Sequence, residues 1–259
     1  MTGKKWMIAA AALTAAVLVG GCGLGGSYSD AVSKNGKEKV LRVGSDTNFP
    51  PFEYKEDGKL SGFDMELIQA VADKMGAKLE VKDITFSDLI PAVKEGRVDA
   101  VISGMEATAA RSKDLSFSDP YCPAGYSILT EKSDDAIQGW DDLKGKVIAT
   151  QTGTRHAEIS IDFGAERVQA FDEKGNVIKA LKDGDVDAAV IDTPVALYYA
   201  KHDDALKVAG EPKVSENGLA IGVKKGNTEL QKEINAALKA VKDDGTYGKM
   251  YAKWFGEMK

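Results

Sequence analysis

Apolar positions along the chain fall into short runs of strand character that alternate with longer stretches of helical spacing. Val40-Leu41-Arg42-Val43-Gly44 predicts a strand, and Asp46-Thr47-Asn48-Phe49-Pro50-Pro51 a loop, because two prolines cannot sit in a central strand. After Asp64, the positions Met65, Leu67, Ile68, Val71, Ala72 and Met75 predict a helix that Gly76 ends. A strand over Leu79 to Ile84, a helix over Ser87 to Glu95 closed by Gly96, and a strand over 98–102 follow. Alternation of this kind implies an α/β fold with a mainly parallel sheet.

The pattern also repeats. Residues 89–102 and 177–190 agree at seven of fourteen positions, 88 residues apart, each copy reading as helix, glycine stop and apolar strand. Any αβ unit has that outline, but two lobes of one architecture account for the spacing. The strand over 146–150 then opens the second lobe as 40–44 opens the first.

The N-terminus follows different rules. Lys4 and Lys5 precede an apolar run from Met7 to Val19, too short to cross a bilayer, followed by Gly20-Gly21-Cys22. This predicts a signal peptide over residues 1–21, and Val-Gly-Gly-Cys resembles a lipobox in which Cys22 is acylated; the alternative is cleavage elsewhere with Cys22 incidental. Residues 22–39 carry little apolar content and are expected to form a flexible tether. The expected location is extracytoplasmic, lipid-anchored to the outer face of the cell membrane or periplasmic.

Composition narrows the function. A 259-residue chain with 43% hydrophobic residues and a formal charge of −6 is neither collagen-like, disordered nor polytopic, and offers no cationic footprint for nucleic acid. Beyond Cys22 the single cysteine is Cys122, without a CxxC partner, so it reads as a spectator thiol. His156 and His202 form no HExxH or paired motif, so both are expected to be ordinary, partly exposed residues; there is no Gly-x-Ser-x-Gly elbow and no phosphate loop. Neither a metal nor a cofactor is expected.

In open α/β sheets, ligands sit beyond the carboxyl ends of the strands. Here those ends are Asp46, Ser103-Gly104, Gln151-Thr152-Gly153-Thr154 and Asp192. With Arg111 they supply a carboxylate, backbone donors and a guanidinium, the complement of a zwitterion. Arg111 as a solvated surface charge and Asp192 as a cap on the next helix are the competing readings.

Several motifs in order carry a resemblance over about 40–255: Gly44-Ser45-Asp46, Pro51-Phe52, Gly62-Phe63-Asp64, Ser103-Gly104-Met105 with Arg111, Phe117-Ser118-Asp119-Pro120-Tyr121, Asp192-Thr193-Pro194, and Asp244-Gly245-Thr246-Tyr247 with Trp254-Phe255. The chain resembles the polar amino-acid-binding proteins of bacterial ABC importers, solute-binding protein family 3. The resemblance implies the two-lobed, periplasmic-binding-protein-like type II fold, its two mainly parallel sheets joined by a two-strand hinge. Lobe 1 would comprise residues 40–122 and 217–259 and lobe 2 residues 123–216, with hinges near Tyr121 to Gly125 and Lys213 to Leu219. It implies a monomer that closes over a free amino acid and delivers it to membrane permease subunits.

Carried over by position, Arg111 takes the ligand α-carboxylate with the backbone N–H groups of Glu106 and Thr154, while Asp192 and the Gly104 carbonyl take the α-ammonium. Phe49 and Phe86 flank the side chain, although core packing competes for Phe86; Asp46 and Gln151 read the side chain's polar end, and Ser103 is expected to be a further ligand-binding residue. Asp46 and Glu106 favour arginine or lysine, Gln151 fits glutamine next, and histidine or cystine follow. Glu106, where the family usually has Ser or Thr, keeps open a cyclohexadienyl or arogenate dehydratase on the same fold. Glu106 and Arg155 are also candidates for an ion pair across the closing cleft, against the reading that both face solvent.

Overall fold

A computed structural model describes residues 39–255; the expected signal peptide, Cys22 and all but the last residue of the tether lie outside the described residues. The first described strand, β1 (Val40–Ser45), is followed by a small antiparallel sheet of β2 (Asn48–Phe49), β3 (Glu53–Glu56) and β4 (Lys59–Ser61). Gly62 then turns the chain into α1 (Phe63–Lys74) at φ 123°, where a Cβ would lie 2.1 Å from the Phe52 carbonyl oxygen, so no other residue fits that turn. The predicted apolar stripe of α1 is buried from Phe63 to Ala72.

The remaining units alternate. β5 (Lys78–Asp83), α2 (Phe86–Lys94), β6 (Ala100–Val101) and β7 (Leu115–Phe117) precede the long β8 (Cys122–Glu131). After it come β9 (Val147–Gln151), α3 (His156–Asp162), β10 (Arg167–Phe171), α4 (Lys174–Lys182), β11 (Ala188–Asp192), α5 (Thr193–His202), β12 (Leu206–Leu219) and β13 (Gly222–Lys224). The helices α6 (Thr228–Asp243) and α7 (Thr246–Phe255) end the described chain. α7 returns to α1, with Tyr247, Tyr251 and Phe255 packed around the Phe63 ring.

Two five-stranded sheets result, in the orders β5-β1-β6-β13-β7 and β10-β9-β11-β8-β12. β1 runs parallel to β5 and β6, and β9 parallel to β10 and β11, while the other pairs are antiparallel. The sheets are therefore mixed, parallel in their βαβ half and antiparallel where the chain crosses over. The sequence echo is topological, since α2–β6 and α4–β11 take the same place beside β1 and β9. β6 is shorter than the predicted strand over 98–102.

β8 and β12 join the sheets. They pair from Cys122↔Leu219 to Glu131↔Leu206, with irregularities between Ala209 and Lys213 and between Val214 and Gly218. No helix among the described residues is long and apolar enough to cross a membrane.

Candidate functional site

The loops after β1, β6, β9 and β11 face one another across the gap between the sheets. On the first side Ser103 is spent on architecture: its hydroxyl donates to Glu53 Oε1 at 2.7 Å and accepts the Asp46 N–H at 3.1 Å. The Gly104 N–H donates to Asp64 Oδ2 at 2.8 Å, which also accepts the Tyr121 hydroxyl at 2.8 Å. Gly104 sits at φ 54°, where a Cβ would come within 2.6 Å of the Phe49 ring.

Beneath these loops lies a carboxyl pair. Glu53 and Asp64 are fully buried, and Glu53 Oε2 and Asp64 Oδ1 have no hydrogen-bond partner among the described residues. Burial, with Asp64 beside it, holds Glu53 well above the usual carboxylate range, and burial pushes Asp64 up to about 6. The folded state thus keeps protons that the unfolded chain gives up, so this stability is complete below the ordinary carboxylate range and is lost as pH rises above it, through about 6 for Asp64. Glu53→Gln keeps the shape of the side chain and removes the carboxyl that burial must hold protonated. It is expected to raise the melting temperature at pH 8 and change it little at pH 5; a decrease at both pH values would refute a Glu53 carboxyl held protonated by burial.

Contacts from the second sheet's loops meet this surface. Gln151 Nε2 donates to Asp46 Oδ2 at 3.0 Å, and Asn48 Nδ2 donates to Glu173 Oε2 at 3.1 Å. The Arg111 guanidinium lies 5.1 Å from the Phe86 ring centroid and donates to the Glu106 carbonyl at 2.9 Å and, across the gap, to the Gly153 carbonyl at 3.0 Å. Burial lowers the Arg111 pKa, opposed by Glu106 and Asp192, so the guanidinium stays charged there. Asp192 stands at the N-cap position of α5 but makes no capping bond; its Oδ1 lies 3.4 Å from His156 Nε2. Burial acts to raise the Asp192 pKa, yet the neighbouring His156 ring with the Lys174 and Arg111 cations outweighs it and holds the carboxyl below its ordinary range.

Glu106 is more occupied than the sequence suggests. It accepts Tyr126 Oη at 2.5 Å and Asn217 Nδ2 at 3.0 Å, with the Ser215 hydroxyl also bonded to it. Arg155 Nη1 lies 3.5 Å from Glu106 Oε1 with its side chain 42% exposed, so the pair forms but adds only about 0–1 kcal/mol. Burial would raise the Glu106 pKa, and the three hydrogen bonds with Arg155 reverse that, so the carboxyl is held ionised.

Together Phe86, Gly104, Glu106, Arg111, Gln151, Thr154 and Asp192 line one cavity of about 20 Å³, and Phe49 borders a second behind it. Asp46 reaches the site through Gln151. Thr154 bonds its own loop, donating from Oγ1 to the Gln151 carbonyl at 2.7 Å. Three lining residues escaped the sequence reading: Tyr126, His156 and Lys174. His156 corrects the expectation of a partly exposed residue, for it is 3% exposed and opens α3 facing Asp192. His202 is exposed, stacked on Tyr198. Cys122 is buried, its thiol pushed up to about 12 by burial, as suits an unreactive side chain.

The sequence pattern of the bacterial extracellular solute-binding proteins, family 3, matches residues 41–257. The chain belongs to this family. Within it, the chain is 36% identical to the arginine-binding extracellular protein ArtP of Bacillus subtilis (strain 168), covering 97% of this chain and 98% of that one. Among solved structures, an ancestral arginine-binding protein bound to glutamine is 44% identical with a TM-score of 0.80, covering 84% of this chain and 98% of that one. AncCDT-1, an ancestral amino acid-binding protein and precursor of cyclohexadienyl dehydratase, is 38% identical with a TM-score of 0.78, over 83% of this chain and 95% of that one. These relatives share the type II fold, and the family assignment makes this a solute-binding protein of amino-acid transport, of an extracellular class.

Proposed function

We propose that this family member is the lipid-anchored, monomeric receptor of an ABC importer, capturing one polar L-amino acid between residues 40–122 with 217–259 on one side and 123–216 on the other. The observation that carries the reading is the facing of Arg111 and Asp192 across a single small cavity, opposite charges on opposite sheets. An α-carboxylate pairs with Arg111 and the N–H groups of Glu106 and Thr154; an α-ammonium pairs with Asp192 and the Gly104 carbonyl. A space of about 20 Å³ has room for about one water molecule, so entry requires the sheets to part about the β8–β12 ribbon. Acylation at Cys22 holds the receptor beside its permease.

For the side chain, Phe49 and Phe86 supply flanking rings and Asp46 with Gln151 the polar end, which keeps arginine, lysine and glutamine as the leading ligands, with histidine and cystine after them. Glu106 gives the cationic choices less support than its charge suggests, because its oxygens are engaged by Tyr126, Ser215 and Asn217. The dehydratase alternative weakens for the same reason: an acid held ionised is a poor proton donor to a leaving hydroxyl.

A thermal-shift screen of the twenty amino acids with ornithine and cystine tests the reading. A true ligand at 100 times its dissociation constant stabilises by about 2.7 kcal/mol. No shift with any of them sinks the receptor assignment, and turnover of prephenate or arogenate replaces it with the enzyme.

A further inference from the structure

Lys174 stands where the site least needs a protein cation. It is the first residue of α4, a helix end at which positive charge is disfavoured, and it is only 7% exposed. Its Nζ lies over the Phe49 ring and 5.4 Å from the Phe86 centroid, between the two rings expected to flank a ligand side chain. Asp46, Glu53, Asp64 and Asp192 surround it, yet burial outweighs them and lowers its pKa to about 8. Among the described residues the ammonium makes no hydrogen bond and no ion pair. Lys174 lines both the cavity that holds Arg111 and Asp192 and the adjoining one bordered by Phe49. An ammonium that rests on the Phe49 ring and lines two cavities, with no hydrogen-bond acceptor among the described residues, keeps its N–H donors unspent.

We propose that Lys174 sets which side chain this cleft accepts, by filling the cation place between Phe49 and Phe86 and offering its ammonium to a ligand oxygen, so that a carboxamide side chain such as that of glutamine is selected over a guanidinium or an ammonium. This deepens the receptor reading and rests on it. Once the zwitterionic end has neutralised Arg111 and Asp192, and with Glu106 and Arg155 paired to each other, the groups left for the side chain are one cation, Lys174, and the Gln151 amide, whose Nε2 is held by Asp46 and whose Oε1 is buried without a partner. A carboxamide matches both, with its oxygen accepting from Lys174 and its NH₂ donating to Gln151 Oε1. Guanidinium offers donors alone and brings a second positive charge into the same aromatic slot. A carboxylate satisfies Lys174 but has no donor for Gln151 Oε1.

The test is titration calorimetry of the whole protein with L-glutamine, L-glutamate and L-arginine. The wild type is expected to bind glutamine at least tenfold more tightly than either competitor. In Lys174→Met, glutamine should weaken at least tenfold and arginine should strengthen, so that the order reverses. Lys174→Gln, which retains a donor, should keep glutamine ahead of arginine by a smaller margin, and it carries the test if the methionine variant does not fold. Preference of the wild type for arginine or glutamate, or an unchanged glutamine-to-arginine ratio in both variants, overturns the inference. The receptor reading fails separately: it falls if no amino acid binds the wild type. Binding that needs Arg111 and ignores Lys174 removes only the role given to Lys174.

Discussion

Arg111→Ala is expected to abolish amino-acid binding while leaving the melting temperature of the protein close to the wild-type value. Two charge-assisted hydrogen bonds to an α-carboxylate are worth roughly 1.5–3 kcal/mol each, so losing both costs about 3–6 kcal/mol, or roughly 10²–10⁴-fold in affinity. The fold should tolerate the change, because Arg111 sits in a one-turn 3-10 segment, Arg111–Lys113, and its partners are the carbonyls of Glu106 and Gly153 rather than a core network. Those partners make the prediction specific. A guanidinium that already bridges a carbonyl on each side of the gap is well placed to report closure and to clasp an anion arriving between them. Calorimetry giving near-wild-type affinity for Arg111→Ala would remove Arg111 from the site.

The fold was legible because periodicity and punctuation agree along this chain. The stripe from Met65 to Ala72 and the stops at Gly76 and Gly96 place α1 and α2 within a residue or two, and the 89–102 and 177–190 echo finds the two sheets. β6 is shorter than predicted because only Ala100 and Val101 form ladder pairs, although Val98 and Ile102 are equally apolar and buried and the Ile102 N–H still donates to the Gly44 carbonyl at 3.2 Å. The antiparallel half of each sheet was also hidden, since β13 reaches β6 from more than a hundred residues away and no local pattern encodes that.

The site was legible to the extent that strand ends define it. Asp46, Gly104, Gln151, Thr154 and Asp192 follow strands whose apolar runs announce them, and topology brings them together. Ser103 shares that address but faces inward, to Glu53, which no spacing rule distinguishes from facing the cleft. Lys174 and His156 were missed for another reason: each opens a helix, where Lys reads as a surface charge and an isolated His as a partly exposed one. The usable signal was their position just beyond β10 and β9, the same carboxyl-end rule applied to the next helix.

Asp192→Asn separates the two readings of that residue. As a helix cap, asparagine is as good as aspartate, so a capping role predicts unchanged stability and unchanged binding. As the counter-ion of an α-ammonium, Asp192 loses its charge in the variant, leaving Arg111, Lys174 and His156 facing the ligand without it. The expected loss is about 2–4 kcal/mol, a 30- to 1000-fold weakening, at an unaltered melting temperature. The structure favours the second outcome, because the carboxylate makes no capping bond and instead faces His156. The pH dependence follows from the same charges. With its pKa held below the ordinary range, Asp192 stays ionised as pH falls through the usual carboxylate values, so its contribution to binding persists there and is lost only at lower pH. Wild-type affinity retained in Asp192→Asn would leave the α-ammonium to the Gly104 carbonyl and Asp192 to the helix end.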